Sequence, residues 1–325
     1  MSTLLALDIG GTKVAWALVR AQDLAVEERG EIATLAHEGG AAVARRIGAE
    51  AARIVRARPD IEGIAVASAG VVDPEAGRIV SATSTMPGWG GTELARILRE
   101  ASGTGAVEIL NDVHAHGLGE ARLGAGRGWG TVLVLAVGTG IGGALVVGGE
   151  PALGDHFLAG HFGHVHHRFG AGMPCSCGRE GHIEAFCSGS GITAWYESRR
   201  GPGDPAAANG RELQALADSG HGLAKACFAE SGWAIGECLG SLANCLDPSL
   251  IVLSGSMTRS GPLWWESVKS GYAEQAMNAV ADIGIVPGTL GGDAPLLGAV
   301  LHFLDRHGTA PRDQRCAHSP SSRPV

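Results

Sequence analysis

Residues 131–149 read TVLVLAVGTGIGGALVVGG, a run with no charged side chain. It is long enough to match a membrane span. Its centre, Gly138-Thr139-Gly140-Ile141-Gly142-Gly143, speaks against one. Each interior glycine weakens a helix by about 1 kcal/mol relative to alanine. Both flanks are β-rich, so two strands joined by a Gly/Thr turn fit better. The chain opens on the same plan. Residues 4–9 and 14–19 are short apolar runs on either side of Gly10-Gly11-Thr12-Lys13, reading as an antiparallel pair. Two such hairpins, roughly 130 residues apart, predict a duplicated α/β plan.

Val43, Ile47, Ala51 and Ile54 fall at helical spacing with arginines on the other face, predicting a helix over 41–58. Residues 61–67 read as a buried strand leading into Ser68-Ala69-Gly70-Val71-Val72-Asp73-Pro74. A helix is expected over 93–101 and a strand over 107–110 that runs into Asn111-Asp112, where another helix starts. After Glu184 the pattern is mostly helical, over 191–199, 210–217 and 222–246. A strand over 250–253 and a last helix over 295–304 follow. Residues 307–325 are polar and Pro/Ser-rich and read as a disordered tail.

Composition excludes whole classes. Glycine makes up 52 of 325 residues, but with no G-X-Y period, so the chain is not collagen. A hydrophobic fraction of 45% with 18% charged residues excludes a disordered chain. The net charge of -8 opposes nucleic-acid and anionic-membrane partners, whose binding rests on Lys and Arg. Seven cysteines cannot all pair within the chain. The start MSTLLALDIGG has neither a basic region nor a long apolar core, so a reducing, cytoplasmic setting is expected.

The two glycine turns carry the first chemistry. Successive glycines let backbone N–H groups converge on an anion with no Cβ in the way. Thr12 and Thr139 add hydroxyls and Lys13 a charge. Asp8, at the end of the first strand, is placed to hold Mg²⁺ through water. Neither turn fits the P-loop or a dinucleotide fingerprint. Either alone reads equally as a tight hairpin; together they predict two phosphate clamps across a cleft. Asn111-Asp112 follows a strand, so Asp112 either caps the next helix or serves as a general base.

Six of the thirteen histidines lie between His156 and His182. Among them His164, Cys175, Cys177 and His182 follow the spacing H-x10-C-x-C-x4-H. Two thiolates and two imidazoles complete a closed tetrahedral set for a structural Zn²⁺. His156, His166 and His167 read as solvated or cleft residues. Cys187, Cys227, Cys238, Cys245 and Cys316 show no ligand spacing, and most read as small core residues. Trp264-Trp265 reads as core or interface, and Trp89 as a loop residue lining a cleft.

Taken in order, these pieces resemble the ROK sugar kinases, glucokinases and N-acetylmannosamine kinases among them. That family belongs to the actin/hexokinase superfamily of paired ribonuclease-H-like domains. Asp8-Ile9-Gly10-Gly11-Thr12-Lys13 resembles its first phosphate motif and Gly138-Thr139-Gly140-Ile141-Gly142-Gly143 its second. Ser68-Ala69-Gly70-Val71-Val72-Asp73 resembles the sugar-side loop, and Asn111-Asp112 the pair whose Asp is the catalytic base. Residues 164–184 resemble the zinc-and-sugar signature, residues 251–256 the adenosine motif with Gly255, and Gly298-Ala299 the turn near the chain end.

The resemblance implies an α/β fold of two domains with a cleft between them. Residues 1–113 would form the smaller, completed by helix 295–305. Residues 114–294 would form the larger, with 306–325 as tail. It implies an ATP-dependent sugar kinase acting on the primary 6-hydroxyl of a hexose, with Asp112 as general base. Mg²⁺ would come with ATP, and zinc would be structural. Gly70, Thr85, Asn111, Asp112, His161, His164 and Glu184 would face the sugar. Family habit implies homodimers or homotetramers.

There are departures. Glu-x-Gly-His becomes His161-Phe162-Gly163-His164, a fourth cysteine ligand becomes His182, and Thr85 stands where Asn is common. Replacing an acceptor-only carboxylate by imidazole changes the hydroxyl pattern read. An amino sugar or a C7-cyclitol of antibiotic biosynthesis is therefore the alternative substrate class. The family's DNA-binding regulators carry a helix-turn-helix before the first phosphate motif, which here begins at residue 8. A non-catalytic sugar binder is opposed by the retained Asp8, Gly11, Thr12, Asp112 and Gly140.

Overall fold

The computed structural model describes residues 2–308. The chain runs β1 (Thr3–Ile9), β2 (Lys13–Arg20), β3 (Val26–Ala33), α1 (Gly40–Ala57), β4 (Ile61–Ser68), β5 (Val71–Asp73), β6 (Arg78–Ser81), α2 (Leu94–Ser102), β7 (Ala106–Asn111) and α3 (Asp112–Arg122). Then come β8 (Thr131–Val137), β9 (Ile141–Val147), β10 (Glu150–Pro151), α4 (Glu184–Cys187), α5 (Gly189–Arg199), α6 (Gly210–Asp218) and α7 (Gly222–Leu246). The chain ends with β11 (Leu250–Ser254), α8 (Pro262–Gln275), β12 (Ile285–Pro287) and α9 (Ala294–Arg306).

One sheet has the order β3-β2-β1-β4-β7 and another the order β10-β9-β8-β11-β12. Numbered within each set, both read 3-2-1-4-5, so the duplicated plan expected from the two hairpins is present. In the first sheet β1 pairs antiparallel with β2 and parallel with β4, which pairs parallel with β7. Strands covered on both faces read as continuous apolar runs. Leu5, Leu7 and Ile9 of β1 are accordingly buried, each worth about 1.5–3 kcal/mol of transfer free energy. The predicted stripe of α1, Val43, Ile47, Ala51 and Ile54, is buried against this sheet's core. No helix among the described residues is long and apolar enough to cross a membrane.

Of the described residues, one compact unit gathers those up to Val132, those in Ala144–Gly160 and those from Gly292 onward; the other gathers Leu133–Gly143 and His161–Gly291. The expected boundary at 113/114 is thus displaced. The reason is α3, which lies along α9 at close range: a Cβ on Gly298 would fall on the Ala115 carbonyl. Of the expected tail, Arg306 closes α9 and His307 and Gly308 follow it; residues 309–325 lie outside the described residues.

The second unit owes its main helix pair to missing side chains. Gly232, Gly236 and Gly240 recur every fourth residue on α7, and a Cβ on each would meet the backbone of α8 or its end. Trp264, Val268 and Tyr272 of α8 are buried there. A Gly236→Ala substitution gains about 1 kcal/mol of helix propensity. Its Cβ would overlap the Val268 carbonyl and lie 2.7 Å from Tyr272 N. These are backbone atoms that cannot swing aside, so an overpacking cost of about 3 kcal/mol, the upper end of the usual range, wins. The variant is expected to be less stable by about 2 kcal/mol in denaturant unfolding.

Candidate active site

In the first unit, β7 ends at Asn111 and delivers Asp112 as the first residue of α3. The cap is Asn111, whose Oδ1 accepts the N–H groups of Val113 and His114 at 3.1 and 3.2 Å. Its Nδ2 donates to Gly70 O at 2.8 Å and to Asp112 Oδ1 at 2.9 Å. Both acceptor sites and both donors of the amide are thereby engaged. In this structure Asn111, an expected sugar contact, orients Asp112 and the 68–70 loop. Asp112 Oδ1 also accepts Val113 N at 2.9 Å. With Oδ1 held twice, Oδ2 is the oxygen open to a proton.

Burial pushes the Asp112 carboxyl up to about 6, against the lowering effect of the Val113 N–H and the Asn111 amide. Asp8, at the end of β1, is pushed up to about 7, first by burial and then by the Asp112 charge; Lys13 opposes. Two half-buried carboxylates repelling one another favour a cation between them. Carboxylate oxygen is the donor that Mg²⁺ prefers, so the chemistry of Asp8 fits that ion.

The first glycine turn is tied off by Gly10 N on Lys13 O and Thr34 N on Thr12 O, both 3.0 Å, and by Thr34 Oγ1 on Gly10 O at 2.6 Å. Thr34 is buried and has no motif to announce it. Lys13, expected at phosphate, is paired at the surface in this structure. Its Nζ lies 2.7 Å from Glu31 Oε2, with both side chains more than 60% exposed. Glu31 belongs to β3, a charged edge strand the sequence reading did not include. Trp89 lines no cleft: it is fully buried, and its Nε1 donates to Ala69 O at 3.1 Å and Ser68 Oγ at 3.3 Å. Gly70 has φ +97, which favours glycine. Thr85 is exposed beside Thr83, their hydroxyls 2.7 Å apart.

In the second unit the turn is Gly138-Thr139-Gly140. Gly142, expected to bind phosphate, lies inside β9 instead. Gly138 O accepts Gly189 N at 2.7 Å, and Thr139 O accepts Ser190 Oγ at 2.7 Å. Across a trans peptide the carbonyl and the next N–H point oppositely. Holding those carbonyls therefore turns the Thr139 and Gly140 N–H groups to the other side. Gly255 (φ +88) packs its backbone on the turn; a Cβ there would lie 2.9 Å from Gly138 N and closer still to the Val137 carbonyl.

The segment His161–His164 sits on the same turn. Gly163 abuts the Ile141 carbonyl so closely that a Cβ would overlap it. His164 Nδ1 lies 3.4 Å from Cys175 Sγ, and His182 Nδ1 lies 3.3 Å from Cys177 Sγ. One ligand atom from each of these four residues falls within 4.8 Å of all the others. Gly178 and Gly181, with φ +85 and +81, fold the loop that gathers them. His161 stacks on His164 at 6.3 Å between ring centroids. His156 and His166 are exposed, but His167 is buried, with Nε2 2.8 Å from Glu237 Oε2. Cys187, Cys227 and Cys238 are core residues as expected. Cys245 is exposed, and Cys316 lies outside the described residues. Trp264 is core.

The ROK family profile matches residues 4–306. The chain belongs to the ROK family. A glucokinase of Halalkalibacterium halodurans is 27% identical over 307 residues, covering 90% of this chain and 92% of its own. The kanosamine kinase of Amycolatopsis mediterranei is 29% identical over 296 residues, 91% of this chain and 94% of its own. The crystal structure of a ROK family glucokinase from Streptomyces griseus with glucose and AMPPNP has a TM-score of 0.78 at 25% identity, covering 92% of this chain and 98% of that one. The paired 3-2-1-4-5 sheets are thus the ROK version of the actin/hexokinase-type fold. In this ROK chain two S···N separations of the His/Cys cluster have the length that a tetrahedral zinc site requires. With Zn–S near 2.3 Å and Zn–N near 2.0–2.1 Å, a tetrahedral S···N edge is about 3.5 Å. The two observed edges, 3.4 and 3.3 Å, fit it.

Proposed function

We propose that this chain is an ATP-dependent kinase for the primary 6-hydroxyl of a hexose or hexose derivative. The observation that carries the chemistry is Asp112: one carboxylate oxygen is fixed by two donors, and the carboxyl titrates near 6. A base with that value is ionised at neutral pH yet basic enough to receive a hydroxyl proton in the transition state. The sugar oxygen attacks the γ-phosphorus in line, the bond to ADP oxygen breaks, and the proton passes to Asp112 Oδ2. Most of the remaining catalysis is positioning and charge stabilisation. The turn at Gly10, Gly11 and Thr12 and the Thr139 and Gly140 N–H groups would hold phosphate oxygens. Bound with ATP and held by Asp8, Mg²⁺ would neutralise phosphate charge. Zinc at His164, Cys175, Cys177 and His182 would order the loop that presents His161, His164 and Glu184 to the sugar.

The substrate question rests on His161 and Thr85. An amino sugar or sugar-like cyclitol is the second reading, favoured by His161 in place of the family's usual carboxylate and by the relative named kanosamine kinase. ADP release over a panel of glucose, mannose, their N-acetyl and amino derivatives and a cyclitol tests both readings. A kinase gives sugar-dependent ADP, and the best kcat/KM names the class. His161→Glu restores an acceptor-only group and is expected to move kcat/KM towards glucose by about tenfold or more. An unchanged ranking across the panel would remove His161 from specificity.

A further inference from the structure

Glu184 opens α4, and its carboxylate reaches in two directions. Oε2 accepts the Ile141 N–H at 2.9 Å. Oε1 accepts Ser176 Oγ at 2.7 Å and lies 3.7 Å from Cys175 Sγ. One oxygen therefore grips the residue that leaves the second Gly/Thr turn, and the other grips the middle of the Cys-Ser-Cys loop. Gly140 is shaped to this arrangement: a Cβ there would lie 2.7 Å from Oε2. The other braces on this turn, Gly189 N and Ser190 Oγ, hold carbonyls. Glu184 holds the Ile141 amide and, with Gly138 N on Gly140 O at 2.9 Å, fixes the end of the turn that those two leave loose.

We propose that Ser176 and Glu184 are positioning residues for the nucleotide phosphates. The carboxylate sets the Ile141 end of the turn, and the Ser176 hydroxyl ties that carboxylate to the metal loop. Order in the loop thereby sets the Gly140–Ile141 peptide, the exit of the turn whose Thr139 and Gly140 N–H groups the carbonyl braces orient. The proposal rests on the kinase reading and adds to it: a sugar contact by Glu184 concerns the acceptor, whereas this role concerns ATP before any sugar is present.

The test is the affinity of the purified full chain for AMPPNP with Mg²⁺, measured by calorimetry without sugar. A lost hydrogen bond with a stranded buried partner weakens binding by about tenfold or more, so that is the expectation for Glu184→Ala. Ser176→Ala, at an exposed position where folding is safe, is expected to weaken it about three- to tenfold. Glu184→Gln keeps an acceptor for Ile141 and a donor for Ser176, so it should stay within about threefold of wild type. Thermal unfolding of each variant checks that it is folded; if Glu184→Ala is not, Ser176→Ala decides. Wild-type affinity in the folded variants lacking either group overturns the proposal and leaves Glu184 as a sugar contact alone. A wild-type chain that binds no AMPPNP contradicts the kinase reading itself, and the proposal falls with it.

Discussion

Asp112→Asn is expected to lower kcat roughly a thousandfold, within the range of about 10²–10⁴ that a positioned general base supplies. AMPPNP and sugar affinities should stay within about threefold, because Asn keeps an Oδ1 that can accept from Val113 N and the Asn111 amide. The same substitution has a second signature. A carboxyl raised from 3.8 to about 6 binds its proton more tightly in the folded chain than in the unfolded one. Stability therefore falls as pH climbs from about 4 to 6, and above that the ionised group costs stability. The variant should melt above wild type at pH 8, by about 1–3 kcal/mol in stability, with the difference vanishing near pH 4. The wild-type kcat/KM profile should lose activity below pH 6. A kcat close to wild type would remove Asp112 from proton transfer.

Cys175→Ser carries the second large effect. Wild-type chain is expected to hold about one zinc per molecule, given a complete set of two thiolates and two imidazoles. Replacing a buried thiolate should leave less than about a tenth of an equivalent and lower Tm by about 5–10 °C, since metal-binding energy is folding energy for such a loop. Sugar KM should rise, because His164 sits in the loop the ion orders. Elemental analysis and thermal unfolding check this together. Wild-type protein that is folded, active and carries less than half an equivalent of metal would remove the four-ligand site.

The parts legible in the sequence were those with strong local chemistry. The hairpins 4–19 and 131–149 showed themselves because central strands are apolar throughout. The His164–His182 set did so because ligand residues are rare enough for their spacing to be informative. What was not legible depended on distant partners. β3, VEERGEIA, is a charged edge strand with no apolar alternation, so neither it nor the Lys13–Glu31 pair could be read locally. Asn111 carries four hydrogen bonds to groups as far off as Gly70. Trp89 looked like a loop residue, and its burial depends on the 68–70 backbone that its indole holds. Part of the glycine excess resolves into helix contacts such as α7 with α8, where the informative fact is which backbone lies opposite, and a larger part into turns, with 20 glycines of the described residues at positive φ.

Phosphorus NMR of the product distinguishes phosphoryl transfer to a primary hydroxyl from every other outcome. Purified chain, Mg²⁺-ATP and the best sugar of the panel should yield ADP and one new phosphate monoester, split by the two protons of a CH₂ carbon. A monoester on a secondary carbon would contradict the 6-hydroxyl assignment. ATP left unconsumed with every sugar, or inorganic phosphate as the sole new signal, would contradict the kinase itself.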